Sequence, residues 1–145
     1  MRNYMIYLIR KPLSIEYYGK EQKIYELVRE YTRSNSDLKK IIEKQIEFIS
    51  EPIPLFELYS YIKENNAYPT NYIEESEQFS VILKDEGTAY LKINPQELIL
   101  SASGTIDAET TFFELLRKFR STFLAIDVEH NRFGWLRPIT QQSYI

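Results

Sequence analysis

His130 is the only histidine of this 145-residue chain, and it stands beside two carboxylates, Asp127 and Glu129, in a segment that reads as a turn. A histidine there acts as general base or metal ligand only with a nucleophile or a second convergent ligand. No HxxxH, GxSxG or carboxylate-metal spacing supplies one, so His130 is read as a surface turn residue. Asp107 and Glu109 make a second acidic pair. They open a predicted helix, where acidic side chains cap backbone N–H groups and suit the positive end of the dipole, a structural role sufficient for both. The four glycines fall in no GxGxxG or GxxxxGK run, so nothing resembles a phosphate cradle. With no cysteine there is no thiol nucleophile, cysteine-ligated zinc site or disulfide framework, and the cytoplasm is the expected compartment. The inventory predicts a protein that is not an enzyme and holds no metal or cofactor.

Recognition chemistry is better represented. Tyr17-Tyr18 lies in a stretch bounded by Pro12 and Gly19. Tyrosine offers large contact area at little rotamer entropy, which suits a protein interface, and the same two rings would equally serve to cover a core.

The elements that position these residues follow from periodicity. Tyr4, Ile6 and Leu8 on one alternation and Met5, Tyr7 and Ile9 on the other make residues 2–10 a strand buried on both faces. Pro12 breaks it, and residues 15–18 form at most one helical turn before Gly19. Ile24, Leu27, Val28 and Tyr31 then mark an amphipathic helix over 20–33. Residues 34–37 supply caps for a second helix with the stripe Leu38, Ile41, Ile42, Gln45, Ile46 and Ile49. Gln45 is an anomaly there, because a buried amide is costly unless paired. Either it is satisfied internally, or that face is not wholly buried and Gln45, with Phe48 beside it, meets another protein. Pro54 opens a third helix with Leu55, Leu58, Tyr59 and Ile62 facing inward, and residues 64–77 read as an acidic, turn-rich connection. The period then changes to 2: segments 78–84, 88–93 and 97–102 form an antiparallel meander. Asp107 caps a fourth helix carrying Phe112, Leu115, Leu116 and Phe119, and segments 122–128 and 132–137 pair as a hairpin. The expectation is an α+β fold in one domain, residues 1–145, with roughly six mostly antiparallel strands and about four helices.

Hydrophobic residues at 43%, aromatics at 14% and charged residues at 27% fit a packed globular chain rather than a disordered one. The apolar stretch 5–9 is too short for a signal-peptide core, and no segment is apolar over the length that spans a bilayer, so no membrane association is expected. Net charge is -3, unevenly spread: residues 1–50 hold 10 basic and 7 acidic side chains, 51–110 hold 3 and 11, and 111–145 hold 5 and 3. Phosphate contacts need a basic surface, so direct nucleic-acid binding is not expected. The alternative, a nucleic-acid-binding regulatory protein, would rest on the cluster Arg117, Lys118 and Arg120.

Several strings in order along the chain carry a resemblance: Tyr7-Leu8-Ile9, Tyr17-Tyr18-Gly19-Lys20-Glu21, Glu43-Lys44-Gln45-Ile46, Pro52-Ile53-Pro54, Asp107-Ala108-Glu109-Thr110, Phe123-Leu124-Ala125-Ile126-Asp127 and Gly134-Trp135-Leu136 with Pro138. Together they resemble the SirA family, the sporulation inhibitors of replication. The resemblance implies a non-catalytic protein that binds domain I of the replication initiator DnaA at entry into sporulation, as a monomer forming a 1:1 complex. Carried over position by position, the implied DnaA-facing residues are Leu13, Tyr17 with its neighbour Tyr18, Gln45, Phe48 and Pro138. Leu13 stands where an aromatic is expected and Phe48 where a tyrosine is. The resemblance turns Tyr17 and Gln45 towards the interface reading, whereas Trp135 is assigned to the fold as a core anchor.

Overall fold

The computed structural model describes residues 1–16, 19–65, 70–83 and 86–137. Strand β1 (Arg2–Leu8) is followed by α1 (Lys11–Glu16), α2 (Glu21–Arg33), α3 (Ser36–Ile49) and α4 (Leu55–Glu64). Strands β2 (Asn71–Ile73), β3 (Gln78–Leu83), β4 (Gly87–Ile93) and β5 (Leu98–Gly104) come next, and α5 (Asp107–Phe119), β6 (Phe123–Asp127) and β7 (Arg132–Trp135) complete the order. The strands form one seven-stranded sheet in the order β2-β3-β4-β5-β1-β6-β7, with every neighbouring pair antiparallel. The α+β class holds, with a strand and a helix more than periodicity predicted. Both additions are short. β2 has three residues inside the segment read as a connection, and α1 takes in the residues around Pro12, a first-turn position that proline tolerates.

The two alternations of β1 explain the layers. Tyr4, Ile6 and Leu8 join a core with Leu58 and Ile62 of α4 and Ala108, Phe112, Leu115 and Leu116 of α5. Tyr7 and Ile9 join a second core on the opposite face, with Ile24, Tyr25 and Val28 of α2 and Ile42, Ile46 and Ile49 of α3. β6 divides in the same way, Phe123 and Ala125 to the first core, Leu124 and Ile126 to the second. β1 and β6 are therefore sandwiched between helices, as an uninterrupted apolar run requires. At the β4–β5 end Gly104 adopts φ +84, and a Cβ there would collide with the backbone of Glu86, so the close approach of the two strands depends on glycine.

Of the two helix caps expected, one is present and one is not. Asn35 caps α3 by accepting from the Leu38 N–H at 3.2 Å. Asp107, by contrast, is not a cap. The cap position falls on Ile106 and no side chain closes it, while Asp107 enters the first turn, where its charge still favours the dipole. On α3 only the ridge Ile42, Ile46 and Ile49 is buried. Leu38 and Ile41, expected inside, are 46% and 57% exposed, as is Leu55 of α4 at 40%.

Candidate functional site

The end of β1 is stitched to the end of α3, and this stitching builds the site. Ile9 bridges to Ser50, the Arg10 N–H donates to the Ile49 carbonyl at 3.0 Å, and the Glu51 N–H donates to the Leu8 carbonyl at 2.7 Å. The Arg10 guanidinium reaches across to the Phe48 carbonyl at 2.8 Å, serving one of the carbonyls that a helix leaves unpaired at its C-terminus. The chain leaves this junction directly into α1, so α1 is held beside the last turns of α3. Between them, with α2 as the third wall, lies an open groove of about 630 Å³ lined by Leu13, Lys23, Leu27, Lys44, Gln45, Phe48 and Ile49.

Three of the residues expected to face a partner meet in this groove. Leu13 of α1 is half-buried, and Gln45 and Phe48 of α3 are exposed, Phe48 at 71%. Gln45 is exposed: its amide lies on the solvent side of α3, away from the buried ridge, and is not a buried amide. Leu38, Ile41, Gln45 and Phe48 follow one another at spacings of 3, 4 and 3, which places them on one exposed stripe. An aromatic this exposed beside half-buried leucines is an apolar surface without a covering partner among the described residues. Lys23 and Lys44 line the groove, which gives it a basic rim. Tyr17, Tyr18 and Pro138 lie outside the described residues. Lys23, Leu27 and Arg10 were not foreseen as parts of a site. Lys44 was present only as a letter of the Glu-Lys-Gln-Ile string.

The residues with catalytic potential are occupied by the fold. Buried Glu109 receives both Nε and Nη2 of Arg2, at 2.8 and 2.6 Å to Oε1, together with the hydroxyl of Tyr4. Glu109 does stand in the first turn of α5, as expected, and there it is also the buried half of an ion pair that ties α5 to β1. Burial with that carboxylate alongside raises the Tyr4 phenol to about 12. Asp127, also buried, accepts from Arg132 at 2.8 Å and from the His130 backbone N–H at 3.2 Å, and His130 Nδ1 lies 2.9 Å away. Burial pushes this carboxyl up, but the Arg132 and His130 contacts outweigh burial and hold it below the ordinary carboxylate range. The Asp127–His130 pair closes the β6–β7 turn, in which Asn131 takes φ +53.

Trp135 is only half-buried. Its indole N–H donates to Glu21 at 2.8 Å, fastening β7 to the start of α2. The same carboxylate accepts from the Gly19 N–H at 2.9 Å. Burial raises the Glu21 carboxyl, and its hydrogen bonds outweigh that and bring it below its usual value. Trp135 is thus a clasp at the sheet edge, with its ring against the second core. No described helix is long and apolar enough to cross a membrane.

Fold and groove define a class: an antiparallel α+β protein, helices on both sides of its central strands, with an open apolar groove rimmed by lysines. The chain belongs to the SirA family, whose description, sporulation inhibitor of replication protein SirA, matches residues 2–140. It is similar to the protein of that name from Bacillus subtilis (strain 168), 33% identical over 147 residues that cover 99% of each chain.

Proposed function

We propose that this chain is a non-catalytic inhibitor of chromosome replication initiation, acting in the cytoplasm as a single domain, and that it binds domain I of DnaA through the α1–α3 groove at entry into sporulation. Family membership supports the replication-inhibitor role. The observation that carries the reading of the site is that Leu13, Gln45 and Phe48, picked out from segments more than thirty positions apart, line one exposed groove. Tyr17, Tyr18 and Pro138 complete the proposed surface. The groove is apolar along its walls and basic at its rim, so it suits a protein face with an apolar centre and acidic surroundings.

The complex is expected to be 1:1, with an interface near or below the standard size of about 1,600 Å². It requires no cofactor and no direct contact with DNA. Calorimetric titration of purified DnaA domain I into the full chain tests this. Saturable binding at one site per chain, weakening as salt rises, is the expected result. The absence of heat at high micromolar concentrations would remove DnaA domain I as the partner.

A further inference from the structure

Strand β7 is one margin of the sheet, and its outer edge meets no described strand. The Leu136 N–H donates to the Phe123 carbonyl at 3.0 Å, and the register continues with Ala125 opposite Gly134 and Asp127 opposite Arg132. In an antiparallel ladder, residues alternate between bonding to the neighbouring strand and turning their N–H and C=O away from it. Arg132, Gly134 and Leu136 therefore bond towards β6, and the main-chain groups of Phe133 and Trp135 point outward. Native edges are usually blunted by charge, proline or a covering element, because an open one templates the pairing of another chain.

A groove of about 300 Å³ runs beside that edge, with Ile106, Phe113, Ala125 and Leu136 among its apolar walls and Gly134 and Arg132 along it. Ile106 is 55% exposed. Gly134 keeps the groove open: a Cβ there would meet nothing within 4 Å, and its φ lies outside the left-handed region, so neither close approach nor conformation requires glycine. Charge supplies an independent observation. Tyr4, which lines the groove, links two ion pairs, its hydroxyl donating to Glu109 and accepting from Arg132. Both pairs keep the carboxylate inside and the guanidinium outside: the Glu109 and Asp127 side chains are 0% exposed, Arg2 is 23% and Arg132 47%. Arg132 engages only its Nη2, with Asp127 at 2.8 Å and Tyr4 at 3.3 Å, which leaves its other donors without a partner among the described residues.

The geometry points to β7 as a docking edge for an extended, acidic segment of a partner protein, which adds to the sheet as a further strand. Its main chain exchanges hydrogen bonds with Phe133 and Trp135, and side chains on alternate positions fall over the groove. An apolar one enters beside Gly134, where no side chain of this protein stands, and a carboxylate two positions along meets the outward guanidinium of Arg132. A second copy is the poorer occupant, because it would set one arginine-bearing edge against another, whereas an acidic segment is complementary. The edge is only four residues long, so the main chain alone binds weakly and the groove and Arg132 supply the selectivity. This edge does not depend on the reading of the α1–α3 groove.

The test begins with hydrogen exchange in the isotope-labelled full chain alone. The Phe133 and Trp135 amides are expected to exchange much faster than those of Gly134 and Leu136 at every protein concentration. Protection of both that is independent of concentration would assign the edge to residues 138–145 of the chain itself, and protection that grows with concentration would assign it to a second copy; either would overturn the proposal. The probe is the peptide acetyl-Ser-Ile-Thr-Glu-Thr-Ile-amide, which carries isoleucine, glutamate and isoleucine on one face when extended. It is expected to shift the Phe133, Gly134 and Trp135 amides saturably with millimolar affinity and to slow exchange at Phe133 and Trp135. Lysine in place of its glutamate should weaken binding about tenfold, and proline in place of both threonines, which removes main-chain donors, should abolish it. Gly134→Val should melt no earlier than wild type, because a β-branched residue suits a strand and has room there, yet should weaken peptide binding by about tenfold by filling the groove. No saturable shift at β7, undiminished affinity of the lysine or proline peptides, or undiminished affinity of Gly134→Val for the parent peptide would overturn the proposal.

Discussion

Replacing Phe48 by alanine separates a docking surface from a core more sharply than any other change in the groove. Phe48 is 71% exposed. A phenylalanine covers about 200 Å² when buried, so roughly 140 Å² of this ring remains for a partner, worth about 3.5 kcal/mol at 25 cal/mol per Å². Alanine keeps the β carbon and no interface covers a ring completely, so we expect a loss of about 2–3 kcal/mol, a dissociation constant roughly 30- to 150-fold weaker. Folding should suffer far less. The remaining 60 Å² or so buried within the chain sets a ceiling of about 1.5 kcal/mol, a fall of a few degrees in Tm. Ile46→Ala, two positions away and 6% exposed, is the contrasting change. It opens a cavity in the second core and should cost about 2–5 kcal/mol of stability, leaving the affinity of the folded protein near wild type. Calorimetry against DnaA domain I and thermal melting, run on both variants, give the two numbers for each. If Phe48→Ala binds like wild type, or melts as early as Ile46→Ala, the reasoning fails.

Three further outcomes follow from the same geometry. Glu109→Ala strands the Arg2 guanidinium and the Tyr4 hydroxyl beside α5 and should cost about 3 kcal/mol, seen as a Tm lower by roughly 10 °C without loss of affinity in the folded protein. The Asp127 carboxyl lies below its unfolded value, so its stabilising contribution is present above the ordinary carboxylate pKa of about 4 and is lost as pH falls through the folded value. Asp127→Asn should therefore lower stability at neutral pH and flatten the acid limb of the stability curve. With net charge -3, the chain alone should give no gel shift with origin DNA at physiological salt, and a sequence-selective shift in the absence of DnaA would contradict this.

Much of the architecture was legible because periodicity reports burial on two faces at once. The doubled alternation of residues 4–9 required helices on both sides of β1, and α2–α3 and α4–α5 occupy those sides. Periodicity could not say which part of a broad apolar arc meets the sheet. The arc of α3 runs from Leu38 through Ile49, and only the ridge Ile42, Ile46 and Ile49 docks, which leaves Leu38 and Ile41 outward with Gln45 and Phe48. β2, with three residues, is too short for an alternation to register. Glu109 looked like any acidic residue in a first turn, because its partner Arg2 lies 107 positions away in sequence. The groove was legible only as separate residues. That Leu13 and Phe48 line one groove depends on Arg10 and Ser50, whose long-range contacts leave no local pattern.

The central claim, that the α1–α3 groove is the face presented to DnaA, is tested most directly by following the backbone amides of the isotope-labelled full chain as unlabelled DnaA domain I is added. The account predicts that the largest shifts gather at Leu13, Lys23, Leu27, Lys44, Gln45 and Phe48. Amides around Phe56 of α4 and Ile82 of β3, also exposed but not part of the groove's lining, should stay in place. Shifts centred on α4 or β3, or none at saturating domain I, would contradict it.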